Sequence, residues 1–192
     1  MRPAVFPLGL FLFFFTYNAN ARATDLSGSA TLRGKPLPNS VVWLEAPNAP
    51  RPPQKERIVL DQRNLAFTPT VLAVPVGYTV DFPNNDRVFH NVFSLRNGKK
   101  FDLGLYPVGA VKHVKFDRPG LSRIFCNIHP NMAAYVLAVE SPYLDVTDKK
   151  GRFTLRGVPP GNYTYHAWRP GDKTTEGKVT VGPGAALEVR WP

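Results

Sequence analysis

The chain has 192 residues, and its 24 lysines and arginines against 14 aspartates and glutamates give a net charge of +10 at neutral pH. The basic residues are scattered, which argues against a nucleic-acid interface and favours simple solubility or steering toward an acidic partner. With 20 prolines and 15 glycines, and with apolar residues alternating rather than recurring at helical spacing, the sequence predicts an all-β protein.

The first 23 residues have the features of a secretory signal peptide. Arg2 precedes an apolar run, residues 4–15, that is shorter than the ~20 residues needed to span a bilayer as a helix. Two A-x-A patterns place the cleavage after Ala21 or after Ala23. We therefore expect a basic mature protein that is periplasmic or secreted and has no integral membrane segment.

Short runs of alternating polarity, bounded by Gly, Pro, Asn or Asp, predict strands along the rest of the chain. In chain order these runs are SATLRG, SVVWLEA, RIVLDQ, YTVDFPN, HNVFSL, VKHVKF, SRIFCN, AYVLAVE, RFTLRG, YTYHAW and ALEVRW. Strands of this length and spacing indicate sandwiches or barrels. The proline-rich residues 46–57 are typical of an extended linker and indicate a domain boundary, and a turn-rich stretch after Glu140 indicates a second one.

The loop FCNIHPNM contains the single cysteine, Cys126, and the one methionine besides the initiator, Met132. Exported proteins usually pair their cysteines, and a lone cysteine cannot pair within its chain. An intermolecular disulfide, an inert buried thiol, a nucleophile and a metal thiolate are the alternatives. Because His129 lies between the two sulfur residues, the loop offers a thiolate, an imidazole and a thioether, which are ligands that copper prefers.

A type 1 copper site needs a second imidazole, and the best candidate is His90. It follows the turn NND at residues 84–86 and precedes Asn91. Together with the C-x2-H-x2-M loop, this arrangement resembles the cupredoxins, with a loop most similar to that of amicyanin. The resemblance implies a Greek-key sandwich over residues 56–140 with one type 1 copper ion. Its implied ligands are His90, Cys126, His129 and Met132.

The ends of the chain resemble a different module. The stretch TDKKGRFTLRGVPPGNYTYHAWRPG is similar to the transthyretin-like or carboxypeptidase regulatory-like β-sandwich, and LSGSATLRGKPLPNSVVWLEAP is similar to its opening hairpin. Neither half could bury its apolar face alone. We therefore expect one smaller, discontinuous sandwich, residues 24–55 plus 141–192, with the cupredoxin domain inserted into it.

The remaining candidate sites are given structural interpretations. His113 and His166 lie in alternating strands and are interpreted as strand residues without a carboxylate cluster nearby. Asp145, Asp148 and Gly151 are interpreted as a β-turn, because the spacing does not fit an EF-hand calcium loop.

The sequence favours an exported blue copper protein that carries single electrons between periplasmic redox partners, with a cytochrome or a dehydrogenase as the expected partner. Copper storage, delivery or sensing by the same ligands is one alternative, and a non-redox binding or adhesion protein is another. An enzyme is not expected, because the residues offer no catalytic triad, carboxylate pair or second metal cluster.

Overall fold

The computed structural model of the protein describes residues 22–95, 97–171 and 173–192. In these ranges the chain forms strands, turns and loops without a helix, so no described segment is a helix that could cross a membrane. The predicted signal peptide lies outside the described residues except for its last two positions.

Eighteen strands are present in the described ranges. The first nine are β1 (Thr24–Leu32), β2 (Lys35–Pro36), β3 (Val41–Leu44), β4 (Ile58–Val59), β5 (Asp61–Arg63), β6 (Ala66–Thr68), β7 (Val71–Pro75), β8 (Thr79–Pro83) and β9 (His90–Ser94). The other nine are β10 (Phe101–Tyr106), β11 (Val111–Lys115), β12 (Gly120–Phe125), β13 (Ala133–Val139), β14 (Leu144–Val146), β15 (Arg152–Val158), β16 (Gly161–Arg169), β17 (Lys173–Val181) and β18 (Ala186–Trp191).

The middle of the chain forms one sandwich. Its larger sheet has the strand order β10-β9-β12-β13-β7, and its smaller sheet has the order β11-β8-β4. Strand β7 runs parallel to β13, whereas β9 pairs antiparallel with both β10 and β12. The inward side chains of the two sheets meet in one apolar core, which includes Phe82, Val92, Phe116, Ile124 and Val136.

The two ends of the chain together form a second sandwich. One of its sheets has the order β15-β1-β18, with β2 paired to β1, and the other has the order β14-β3-β16-β17. The early strands β1 and β3 therefore pair with strands that come more than a hundred residues later. Its core includes Leu26, Leu44, Leu155 and Val189. The predicted fold class is confirmed: a cupredoxin-type sandwich is inserted into a second all-β sandwich built from both chain ends.

A third apolar cluster joins the two sandwiches. Leu137 and Val139 of β13 point away from the first core and lie in one cluster with Val41 of β3 and Trp168 of β16. The ring of Tyr135 is 5.3 Å from that of Trp168. Alternation along β13 thus sends one set of side chains into the first core and the other set into the contact between sandwiches.

The second half of the predicted linker is fixed to the first sandwich. The amide of Gln54 pairs with the backbone of Thr79 in both directions, donating to its carbonyl oxygen and accepting from its N–H, each at 2.8 Å. The hydroxyl of Tyr78 donates to the carbonyl oxygen of Pro52 at 2.6 Å. Gln54 thus pairs with the first residue of β8, and the strand β4 pairs with the next residues of the same edge, Val80 and Asp81.

Candidate metal centre

The turn between β8 and β9 places His90 at the first position of β9. The side chain of Asn84 organises this turn. Its Nδ2 donates to the carbonyl oxygen of Val88 at 2.9 Å, and its Oδ1 accepts from the backbone N–H of Asp86 at 3.1 Å. Asparagine suits this position because its side-chain amide closes turns with the backbone. Since Asn84 and His90 are both fully buried, the turn is fixed from inside the protein.

The loop between β12 and β13 carries the other three predicted ligands. It folds back through a hydrogen bond from the backbone N–H of Met132 to the carbonyl oxygen of His129 at 2.9 Å. The backbone N–H of Asn127 also donates to Oδ1 of Asn91 at 2.8 Å. The asparagine that follows His90 in the sequence therefore ties the two ligand-bearing segments together.

Three of the predicted ligands converge. The Sγ of Cys126 lies 3.9 Å from Nδ1 of His90 and 3.7 Å from Nδ1 of His129, and the two nitrogens are 3.0 Å apart. The point in their plane that is equidistant from the three atoms lies about 2.1 Å from each, close to the ~2.0–2.3 Å of nitrogen and sulfur bonds to a metal such as zinc. The cluster therefore has room for one small transition-metal ion.

Met132 lies in the same buried apolar cluster as Cys126, and only 1% of its surface is exposed. Its sulfur, the cysteine and the two imidazoles make up the donor set of a type 1 copper site: two nitrogens, a thiolate and a thioether. The structure brings His90, Cys126 and His129 together and buries Met132 in the same loop as Cys126 and His129. The role of the four side chains as copper ligands stays a prediction.

The carboxylate of Asp86 orients the His90 ring. Its Oδ2 is 3.0 Å from Nε2 of His90, so Nε2 carries the proton and Nδ1 is left to face Cys126. Hydrogen bonds from the backbone N–H of Leu65 and of Arg87 and from His90 outweigh partial burial and lower the pKa of Asp86 to about 2. The acceptor is thus ionised at any ordinary pH. In the sequence this residue was noted only as part of the turn.

Two buried polar residues, Tyr106 and Gln62, lie beside the strand position of His90. Tyr106 of β10 is directly opposite His90 of β9, and its hydroxyl donates to the carbonyl oxygen of Phe82 at 3.1 Å and accepts from Nε2 of Gln62. Burial raises the pKa of Tyr106 well above its usual value, so the phenol is neutral. Sequence reasoning missed Gln62 and Tyr106, because neither carries a motif.

The site is closest to solvent at His129. This histidine is half-buried, whereas His90 and Cys126 are buried. Pro130 within the loop and Ala133 directly after it are exposed. Four apolar side chains in these segments are exposed. Val88 and Phe89 lie in the turn before His90, Ile128 lies in the loop before His129, and Leu65 donates its backbone N–H to Asp86.

The two histidines outside the cluster lie in strands as predicted, His113 in β11 and His166 in β16, but both have carboxylate partners that the sequence interpretation did not include. Nδ1 of His113 is 2.5 Å from Asp81, which also pairs with Arg57. His166 lies between Glu45 at 3.6 Å and Glu176 at 3.3 Å. Asp81 and Glu176 belong to other strands and Glu45 directly follows β3, so adjacency in the sequence did not reveal these carboxylates. The two acids contact opposite nitrogens of the His166 ring, which is the geometry of ion pairs rather than of a shared metal.

Comparison with known protein families supports the resemblance predicted for the C-terminal end of the chain. Residues 132–191 match the family model of the carboxypeptidase regulatory-like domain, a match that begins inside the loop of Met132 and includes β13. No curated protein is significantly similar to the chain in sequence. The resemblance to cupredoxins is confirmed by the sandwich and by its His–Cys–His cluster.

Solved structures similar to the chain include copper proteins. A purple cupredoxin from Nitrosopumilus maritimus is 27% identical over 43% of this chain and 98% of its own, with a TM-score of 0.39. A reduced variant of amicyanin is 20% identical over 51% and 98% of the two chains, with a TM-score of 0.42. A copper-containing nitrite reductase from Thermus scotoductus is 20% identical over 57% of this chain and 28% of its own, also with a TM-score of 0.42. At TM-scores this low, the assignment of the fold rests on the strand topology.

Proposed function

We propose that the protein is an exported type 1 copper protein that transfers single electrons and is not an enzyme. The observation that carries the proposal is the convergence of Cys126 Sγ with the two Nδ1 atoms of His90 and His129 in a buried setting. Copper in such a site supplies a one-electron couple, Cu(II)/Cu(I), that needs no proton transfer.

The chain's own residues give this site its properties. Asp86 and the turn of Asn84 hold His90 in place, and the bond from Asn127 to Asn91 holds the loop of Cys126. A ligand set fixed in this way changes little between oxidation states, which favours fast electron transfer. Met132, which is buried in the same loop as Cys126 and His129, would supply the weak thioether contact that tunes the potential.

A redox partner would approach the half-buried His129. The exposed apolar side chains of Val88 and Phe89, which precede His90, and of Ile128, which precedes His129, suit a small, transient interface of the kind that redox proteins form. We propose a periplasmic cytochrome or dehydrogenase as the partner, in keeping with the signal peptide predicted for residues 1–23.

A copper titration of the purified mature chain tests the proposal. One equivalent of Cu(II) should produce an intense visible absorption from thiolate-to-copper charge transfer, and Cys126→Ser should abolish it while keeping the β-sheet circular dichroism. His166→Gln, which alters a histidine outside the cluster, is the matched control and should keep the colour. A colourless copper complex of the unaltered chain would exclude a type 1 site.

Storage or delivery would use the same ligands, so a kinetic measurement separates them from electron transfer. An electron carrier should show fast, reversible voltammetry and retain its copper in both oxidation states. Loss of copper on reduction would instead support delivery.

A further inference from the structure

Strand β17 of the second sandwich is a long free edge. It is the terminal strand of the sheet β14-β3-β16-β17, so β16 occupies one side and none of the described strands pairs with the other side. Its register with β16 runs without a bulge over nine pairs, from Gly161 opposite Val181 to Arg169 opposite Lys173. An edge of this length is a template for pairing with another strand.

Three other strands that could offer an edge in the described chain are interrupted, covered or short. β10 contains a register shift between Asp102 and Leu105, the edge of β8 is covered by Gln54 and β4, and β14 has only three residues. β17 has no proline and no bulge, and its charged residues are the one device that could discourage pairing. The arrangement of those charges therefore decides which strand the edge accepts.

The charges on β17 are self-complementary. Gly177 is the midpoint of the strand, with Glu176 before it and Lys178 after it. If two copies of β17 pair antiparallel in full overlap, Gly177 lies opposite Gly177 and each Glu176 lies opposite Lys178 of the second copy. Opposite charges at directly opposed positions stabilise a sheet, and like charges destabilise it.

Neighbouring registers lack this match. Opposed residues must point to the same face, so the register of a symmetric pair changes in steps of two residues. A shift by one step places Glu176 opposite Glu176, and a shift the other way places Lys178 opposite Lys178. Both residues are on the solvent face of the sheet, since Glu176 contacts His166 and Lys178 donates to Thr164 across the β16 ladder.

We propose that the protein forms a symmetric dimer in which the β17 strands of two copies pair antiparallel about Gly177 and join two four-stranded sheets into one. The contact is isologous, because the same edge serves both copies. Tyr165 packs across Gly177 so closely that a Cβ there would lie 2.7 Å from its ring, which keeps the centre of the edge free of a side chain. The interface is a single strand from each copy, so the dimer forms reversibly and depends on protein concentration.

Charge reversal tests the proposal on the full mature chain, with molar mass measured by sedimentation equilibrium over micromolar to millimolar concentration. The unaltered chain should pass from monomer to dimer. Glu176→Lys creates two pairs of opposed lysines, and Lys178→Glu creates two pairs of opposed glutamates. Each variant alone should remain monomeric over the whole concentration range. An equimolar mixture of the two variants should dimerise, because every opposed pair is then of opposite charge.

The double reversal E176K/K178E restores complementarity within one chain and should dimerise like the unaltered protein. Glu188→Lys, an equal change of charge on β18, is the matched control and should also dimerise. The proposal is overturned if the unaltered chain stays monomeric at the highest concentration, if either single variant dimerises as well as the unaltered chain, or if the mixture remains monomeric. Addition of salt should narrow the difference between variants.

Discussion

The imidazole of His90 meets the carboxylate of Asp86 through Nε2 at 3.0 Å, while its Nδ1 faces Cys126. This contact fixes both the tautomer and the orientation of a ring that is fully buried. We expect Asp86→Ala to lower copper affinity about 10- to 100-fold, the usual effect of losing such a partner. Competition with a chelator of known affinity measures the change.

Asp117→Ala is the control for that variant. Asp117, in the connection between β11 and β12, is an exposed carboxylate that pairs with Lys99 at 2.7 Å, and this pair uses no residue of the turn that holds His90. The control variant should leave copper affinity unchanged. Equal affinities for Asp86→Ala and the unaltered protein would show that the carboxylate does not position the ring.

Met132 offers a graded test of the axial position. Met132→Leu removes a weak donor, which favours Cu(I) and should raise the reduction potential, whereas Met132→Gln supplies a harder oxygen donor that favours Cu(II) and should lower it. Voltammetry of both variants gives the shifts. Leu60→Met, a similar exchange at another fully buried position of the same core, should leave the potential where it was. Unchanged potentials in both Met132 variants would make this methionine an ordinary core residue.

The pH dependence of stability should reflect Asp81. Burial raises the pKa of Asp81, but hydrogen bonds and charge interactions with His113 and Arg57 outweigh it, so the net pKa is lowered. A carboxyl group with a lowered folded-state pKa stabilises the protein above its unfolded value of ~3.9 and loses that contribution as the pH falls through the folded value.

Asp81→Asn should therefore reduce the free energy of unfolding at pH 7, by about 1 kcal/mol because Arg57 and His113 are largely exposed. The loss should shrink below pH 4. Urea unfolding at several pH values measures it. Asp117→Asn removes a pairing with Lys99 at a more exposed carboxylate and should have a smaller effect. A loss that stayed constant down to pH 2 would rule out the electrostatic explanation.

Truncation after Glu140 should damage both halves of the second sandwich. It removes β15 and β18, the partners of β1, and β14 and β16, the partners of β3. The apolar strand β3 would then be exposed, and we expect aggregation in size-exclusion chromatography and rapid proteolysis of the N-terminal segment. A monomeric product with a protease-resistant N-terminal segment would contradict the shared sandwich.

Most strands that sequence reasoning found have a clear apolar face, although the apolar strand β7, VLAVP, was missed. β17 was missed because its sequence KTTEGKVTV is polar on the solvent face and has a glycine at its centre, so it gives little hydrophobic alternation. β10 was missed because the register shift around Gly104 interrupts its period of two. Both are edge strands, where burial imposes the weakest pattern on a sequence.

The candidate site was predictable for a different reason. The single cysteine and the single internal methionine lie in the same loop with a histidine between them. Because each sulfur residue occurs once in the mature chain, such an arrangement is improbable by chance. The supporting contacts were not predictable, because they join residues far apart in sequence: Asn91 with Asn127, and Leu65 with Asp86. Pairings of this kind depend on strand order, which a single sequence does not state.

Electron paramagnetic resonance of the Cu(II)-loaded mature chain tests the central claim most directly. A short bond from copper to the Cys126 thiolate delocalises the unpaired electron onto sulfur, so the account predicts one copper per chain with an unusually narrow parallel hyperfine splitting. The wide splitting of ordinary tetragonal Cu(II), in a chain that retains its β-sheet circular dichroism, would contradict it.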